Sequence, residues 1–263
     1  KGIKVLKERK IMREEEFISY LSEESKSEEG VRRLRAGVPL GRDLGGNTVF
    51  SQKRERPFTV RHTCVTGLRR TAFIRRLIIT LSCLYERDEA NFLIVSPRAE
   101  YGELLRLRSA DVTVPFIRVK SDLDKVMDCV RELVRMYQTE KGHPRLILVL
   151  DGLEELEGCN KNGDLEEYRA FFDLTLRNEN VEIITGAELM KSIFSGYPGA
   201  FVGVGNCLVT TREEGKADVT YVGDDSSLSM PTAMSFPDSP SVTETIIFLN
   251  SLPASTNTYD DEE

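Results

Sequence analysis

FTVRHTCVTGLRRTAFIRRLII, residues 58–79, is the stretch whose reading decides the fold. It runs from an apolar strand, Phe58–Val65, through a short loop into a helix predicted over Thr71–Arg87. The same alternation continues downstream. Asn91–Ser96, Val114–Val119, Arg145–Leu150 and Val181–Thr185 read as strands. Asp122–Lys141 and Leu165–Asn178 read as helices, the first with Leu123, Val126, Val130, Leu133, Val134 and Tyr137 recurring at helical spacing. Strands that are apolar throughout and alternate with helices predict an α/β fold: a mainly parallel sheet with helices on both faces. Two additions complete it. VPLGRDLGGNTVF, Val38–Phe50, predicts an edge hairpin. Asn206–Thr211 and Asp218–Val222 predict a terminal antiparallel pair joined by a turn at Glu213–Lys216.

The loop at the centre of the opening stretch compares with the phosphate-binding consensus G-x-x-x-x-G-K-[ST]. With Thr71 at the hydroxyl position, Arg70 stands at the lysine, Arg69 at the second glycine and Cys64 at the first. Thr66, Gly67 and Thr71 keep their expected character. A working loop needs glycines so that backbone N–H groups approach the phosphate oxygens; its lysine reaches the β- and γ-phosphates and its hydroxyl holds Mg²⁺. Arg69 restricts the backbone and fills phosphate space. Arg70 keeps the positive charge, but a planar guanidinium does not replace a compact ammonium. An ordinary strand, loop and helix with exposed arginines is the alternative that this segment alone leaves open.

A second segment bears on the choice. LILVLDGLEEL, Leu146–Leu156, is an apolar strand ending in Asp151, at the carboxyl end where parallel sheets bind ligands. In an active nucleotidase such an aspartate acts on Mg²⁺ and an acidic neighbour polarises the attacking water. Here the neighbour is Gly152. Glu154 and Glu155 follow, read as a solvated helix start. Thr66, Gly67, Arg69, Arg70, Thr71 and Asp151 are thus the candidate residues of a degenerate nucleotide site, with no catalytic residue and no metal ligand among them. No cofactor is expected, with Mg·ATP as the alternative.

Composition excludes several classes. Among 263 residues the formal net charge is −7, which does not point to nucleic acid. Arg32, Arg33, Arg35, Arg69, Arg70, Arg75 and Arg76 could form a basic stripe for a DNA translocase, but Arg75 and Arg76 read more simply as covering a helix face. Five scattered cysteines without a C-x-x-C pair predict reduced thiols, not a disulfide frame or a zinc site. No apolar run approaches the roughly 20 residues of a membrane-spanning helix. The chain opens on Lys1 and not Met, as expected of a piece of something longer. Residues 1–36 are charge-rich and read as a linker between modules, 37–223 as the domain, and 224–263, rich in Ser, Pro and Asp, as a largely flexible tail.

From Pro39 to Val209 the chain resembles the FtsK/SpoIIIE superfamily of RecA-like motor domains. PLGRDLGG (Pro39–Gly46) resembles the family's opening hairpin, and His62, Val65, Thr66 and Gly67 the approach to its Walker A loop. FLIVSPRAEYGELL (Phe92–Leu105) resembles its strand with an acidic-Pro-Lys motif, with Ser96 at the acidic position and Arg98 at the lysine. DLDKVMDCVRELVRMYQ (Asp122–Gln138) resembles its helix ending in an Arg-x-Tyr-type pattern. Within the superfamily the chain is most similar to the C-terminal, degenerate ATPase module of type VII secretion proteins of the EssC/EccC kind. GIKVLKERKIMREEEF (Gly2–Phe17) is similar to their inter-module linker and GNCLVTTREEGKADVTYV (Gly205–Val222) to their closing hairpin. The resemblance implies a RecA-like P-loop NTPase fold. It also implies a role in substrate recognition or regulation of protein export, not ATP hydrolysis. Its partners would be small WXG-type secreted proteins bound through a C-terminal signal, neighbouring modules of the same chain and a homo-oligomer, with nucleic acid not expected. Its place would be the cytoplasmic face of a bacterial membrane, as the soluble part of a larger anchored protein. A DNA translocase subunit or a weak ATPase is the alternative.

Overall fold

The computed structural model describes residues 38–51, 61–83, 85, 87–139, 142–159, 180–187, 206–221, 228–236 and 243–251. Among the described residues ten strands form one sheet: β1 (Pro39–Asp43), β2 (Thr48–Phe50), β3 (Arg61–Thr66), β4 (Ala90–Val95), β5 (Asp111–Thr113), β6 (Arg145–Asp151), β7 (Val181–Ala187), β8 (Asn206–Glu213), β9 (Lys216–Tyr221) and β10 (Thr232–Ser235). Their spatial order is β2-β1-β10-β9-β8-β3-β7-β6-β4-β5. From β8 to β5 all neighbours are parallel; from β8 to β2 all are antiparallel. The parallel half is the α/β architecture that the alternating pattern predicts.

Burial follows the two-faced arrangement. In β6 every residue from Leu146 to Asp151 is buried, and so is all of β7. Alternate side chains of these strands feed two cores. One core takes Val65, Ile94, Val149, Ile184 and Val209 together with helix α1 (Arg70–Ser82). The other takes Cys64, Leu148, Leu150, Ile183 and Leu208 against helix α2 (Lys120–Thr139), which contributes Leu123, Met127, Val130, Val134 and Tyr137. The outer face of α2 is solvated and carries short-range ion pairs such as Arg131–Asp128 and Arg135–Glu132. Among the described residues no helix is long and apolar enough to cross a membrane.

Several expectations change. Val114–Val119 is not a strand; the edge strand is β5, just before it. Pro115 supplies the reason, since it has no N–H to donate to a ladder. Helix α1 stops at Ser82, short of Arg87. The larger correction concerns the segment after 223. β10 lies between β9 and β1 and joins the hairpin β1–β2 to the sheet. Helix α3 (Thr243–Ser251) follows, with Ile246 in the core. Phe236 is buried edge-to-face on Phe73 of α1, with ring centroids 5.0 Å apart. Residues 228–236 and 243–251 are therefore part of the domain: a four-residue strand needs neighbours on both sides, and those neighbours come from distant sequence. The predicted linker, the helix at Leu165–Asn178 and Cys207's side chain lie outside the described residues. Cys64, Cys83, Cys129 and Cys159 are free thiols, and among the described residues no cluster of ligating side chains could hold a metal.

The candidate nucleotide site

The turn between β3 and α1 is shorter than a phosphate loop. If Thr71 occupies the hydroxyl position, the six loop positions before the lysine are Cys64–Arg69. Yet Cys64, Val65 and Thr66 remain in β3, paired with β7 on one side and β8 on the other. Only Gly67, Leu68 and Arg69 are left to turn the chain, and the Arg70 N–H donates to the Gly67 carbonyl at 3.2 Å. Gly67 has φ +99°, and a Cβ on it would sit 2.2 Å from the Thr211 carbonyl oxygen. The Thr211 hydroxyl in turn donates to the Thr66 carbonyl at 2.9 Å. The turn is thus packed closely against β8, and the Gly67 carbonyl is taken up by the Arg70 N–H.

The two arginines that follow diverge. Arg69 points outward, and its nearest carboxylate is Glu214 in the β8–β9 turn, at 4.0 Å. Arg70 points inward and is 3% exposed. Its Nε donates to Asp151 Oδ1 at 2.9 Å, and one terminal nitrogen donates to Glu154 Oε1 at 3.1 Å and Glu155 Oε1 at 3.0 Å. Asp151, fully buried, also accepts from the Thr71 hydroxyl at 2.7 Å and the Tyr101 hydroxyl at 2.8 Å, both on Oδ2. Arg98, beyond the end of β4, donates to Glu155 and brings its Nε to 3.8 Å from Asp151 Oδ2.

Two glycines make this packing feasible. A Cβ on Gly186, at the end of β7, would lie 2.3 Å from Asp151 Oδ1 and 2.7 Å from Ile74 Cδ1. Gly152 adopts φ +72°, where a side chain is strained, and starts the short 3-10 helix Leu153–Glu155. The left-handed turn at Gly152 is what folds Glu154 and Glu155 back over Arg70. Their reading as a solvated helix start holds for Glu155, whose side chain is 42% exposed, and less for Glu154 at 20%; both carboxylates are also bound to the guanidinium.

Electrostatics reinforce the arrangement. Basic residues at a helix N-terminus oppose the helix dipole. Burial alone would also weaken the Arg70 charge, but Asp151, Glu154 and Glu155 outweigh it and hold the guanidinium's pKa above its ordinary value. Arg98 is raised likewise, burial being outweighed by Asp151 and Glu155. The Tyr101 phenol is pushed well above its usual range by burial and by the charge of Asp151, so it stays a proton donor. The cluster sets two guanidinium groups against three carboxylates.

Of the candidate residues, the fold brings Arg70, Thr71 and Asp151 together. Thr66 lies in β3 with its hydroxyl donating to that of Thr210 at 3.3 Å, Gly67 in the turn, and Arg69 on the surface. Tyr101, Glu154, Glu155 and Gly186 join the cluster without having been singled out for it. A lone tyrosine within a short 3-10 helix and a glycine late in a strand carry no local signal. Arg75 and Arg76 do not cover a solvated face: both are buried, paired with Glu103 and, at 3.0 Å, with the Thr245 hydroxyl. With Arg70 they are lost to any basic stripe, and Arg32, Arg33 and Arg35 lie outside the described residues.

The fold is that of an α/β domain of the RecA-like type. Solved structures agree. The cytoplasmic domain of the Thermomonospora curvata type VII secretion ATPase EccC matches with a TM-score of 0.62 at 12% identity, over 84% of this chain and 32% of that one. EssC (ATPases 2 and 3) from Geobacillus thermodenitrificans matches with 0.54 at 11%, over 83% and 50%. The pCW3 conjugation coupling protein TcpA matches with 0.52 at 12%, over 85% and 73%. The chain therefore shares its fold with these secretion and conjugation ATPase domains. The chain spans about a third of the first of these and half of the second. No protein-family model matches the sequence, and no curated protein does.

Proposed function

We propose that this chain is a module of a type VII secretion ATPase that has given up nucleotide turnover and serves in substrate recognition or in regulating export. The observation that carries the reading is Arg70. In a P-loop NTPase the loop hydroxyl and the strand-end aspartate both hold Mg²⁺. Here Thr71 and Asp151 hydrogen-bond to each other directly at 2.7 Å, and a guanidinium fills the adjacent space. A turn of three residues is shorter than a phosphate-binding loop, and Gly152 stands where a water-polarising acid is needed, which supports the reading. Losing a transition-state donor costs on the order of 100- to 1000-fold, so two such losses leave little turnover.

The partners follow by analogy with the secretion ATPases: WXG-type exported proteins with a C-terminal signal, adjoining modules and further copies of the chain. By the same analogy the module works at the cytoplasmic face of a bacterial membrane, within a longer anchored protein. Calorimetric titration with Mg·ATP to millimolar concentration tests the central point. No heat beyond dilution is expected; saturable binding overturns the reading and returns nucleotide as a ligand.

A further inference from the structure

The Arg70 cluster does more than block a ligand. It joins three separate turns at the carboxyl end of the sheet. Arg70 and Thr71 open α1 after β3; Arg98 and Tyr101 follow β4; Asp151 ends β6, and Glu154 and Glu155 follow it. Every one of these side chains meets a partner from another turn: Arg70 with Asp151, Glu154 and Glu155, Thr71 and Tyr101 with Asp151, Arg98 with Glu155. Asp151 is the hub and has no exposed surface.

We propose that Arg70 is a built-in occupant of this site, holding the turns after β3, β4 and β6 in a single arrangement that depends on no bound ligand. The inference rests on the reading that nucleotide does not bind, and it adds how the module is regulated. In a nucleotide-dependent domain the turns around the phosphates respond to a ligand that comes and goes, and an equilibrium shifts only by the ligand's differential affinity for two states. An occupant attached through the chain is present at a fixed effective concentration, whatever the concentration of free ligand. The module is therefore a fixed element, presenting one surface to its neighbours whatever the nucleotide concentration.

The fork shape of the guanidinium matters here. Arg70 engages three carboxylates from two different nitrogens, Nε toward Asp151 and a terminal nitrogen toward Glu154 and Glu155. A lysine ammonium is a single point of contact and does not reproduce that span. Removing the side chain takes away the closer countercharge of buried Asp151 and leaves Arg98, 3.8 Å from it. Breaking a buried pair in this way corresponds to roughly a 100-fold or larger shift in the opening equilibrium.

The experiment is hydrogen–deuterium exchange of the whole chain, as wild type, Arg70→Ala and Arg70→Lys, each with and without millimolar Mg·ATP. Peptides covering 67–72, 96–106 and 151–159 report on the three turns. In the wild type all three are expected to be protected and unmoved by Mg·ATP. In Arg70→Ala all three are expected to exchange on the order of 100-fold faster and together, with Arg70→Lys intermediate. Faster exchange confined to 67–72 in Arg70→Ala overturns the inference. Should Arg70→Ala not fold, Glu155→Gln takes its place, since Glu155 is partly exposed and links Arg70 to Arg98. It is expected to loosen 96–106 and 151–159, and unchanged exchange there overturns the inference. Protection of the wild-type turns that grows saturably with Mg·ATP instead overturns the nucleotide-free reading, whatever the variants do.

Discussion

Replacing Asp151 by asparagine separates a structural cluster from a working metal site by the sign of its effect on stability. In a site that awaits Mg²⁺ the aspartate is an uncompensated buried charge, so neutralising it leaves the free protein as stable or more stable. Here the carboxylate is already matched. In the Asp151→Asn variant the amide oxygen could still turn to Arg70 Nε, and the NH₂ could donate to the two hydroxyls of Thr71 and Tyr101, which can rotate. What the variant loses is one negative charge 2.9 Å from a buried guanidinium. Glu154 and Glu155 remain beside Arg70, so the cost falls at the lower end of the range for breaking a buried pair, about 3 kcal/mol. For a chain of this size that lowers the melting temperature by about 6–12 °C. Urea unfolding followed by circular dichroism gives the free energy directly. An Asp151→Asn protein within about 1 kcal/mol of wild type, or more stable than it, refutes the argument.

Three further outcomes are expected. Gly186→Ala puts a methyl 2.3 Å from Asp151 Oδ1, which is tied on both oxygens and cannot swing away; a loss of about 2–3 kcal/mol should appear in the same unfolding assay. Phe236→Ala tests whether the segment after 223 belongs to the core. With Phe236 buried on Phe73, a loss of roughly 3–5 kcal/mol is expected, against almost none for a residue in a loose tail. The third concerns pH. His62, buried in β3 with Nε2 3.0 Å from the Thr185 hydroxyl, has its pKa lowered by burial from 6.5 to about 3. Below pH 6.5 the unfolded chain takes up a proton that the folded chain refuses. This contribution is therefore complete above about pH 6.5 and is lost as the pH falls toward 3. By pH 4.5 the loss amounts to about 2–3 kcal/mol, and unfolding curves for wild type and His62→Gln should converge by that amount between the two pH values.

What the sequence determined by itself was the scaffold. Runs such as Leu146–Leu150 and Val181–Thr185 are apolar at nearly every position because both faces of a parallel strand are covered, and that constraint is local enough to read. The placement of Asp151 at a strand's carboxyl end, and the departure of Arg69, Arg70 and Gly152 from a phosphate-binding pattern, were legible for the same reason. Tertiary structure alone decided what those departures do. Nothing in the order Arg69–Arg70 says which guanidinium turns inward; the register of β3 against β7 and β8 decides it, by ending the strand at Thr66 and starting the helix at Arg70. Glu154 and Glu155 look solvated in sequence, and Glu155 largely is, but both become partners of Arg70 because Gly152 reverses the chain. The segment after 223 is rich in Ser, Pro and Asp, with an apolar pattern only over Thr243–Leu252, and so reads as largely flexible. Its strand β10 is ordered between β9 and β1 because strand pairing draws on neighbours far away in sequence, which no local pattern records.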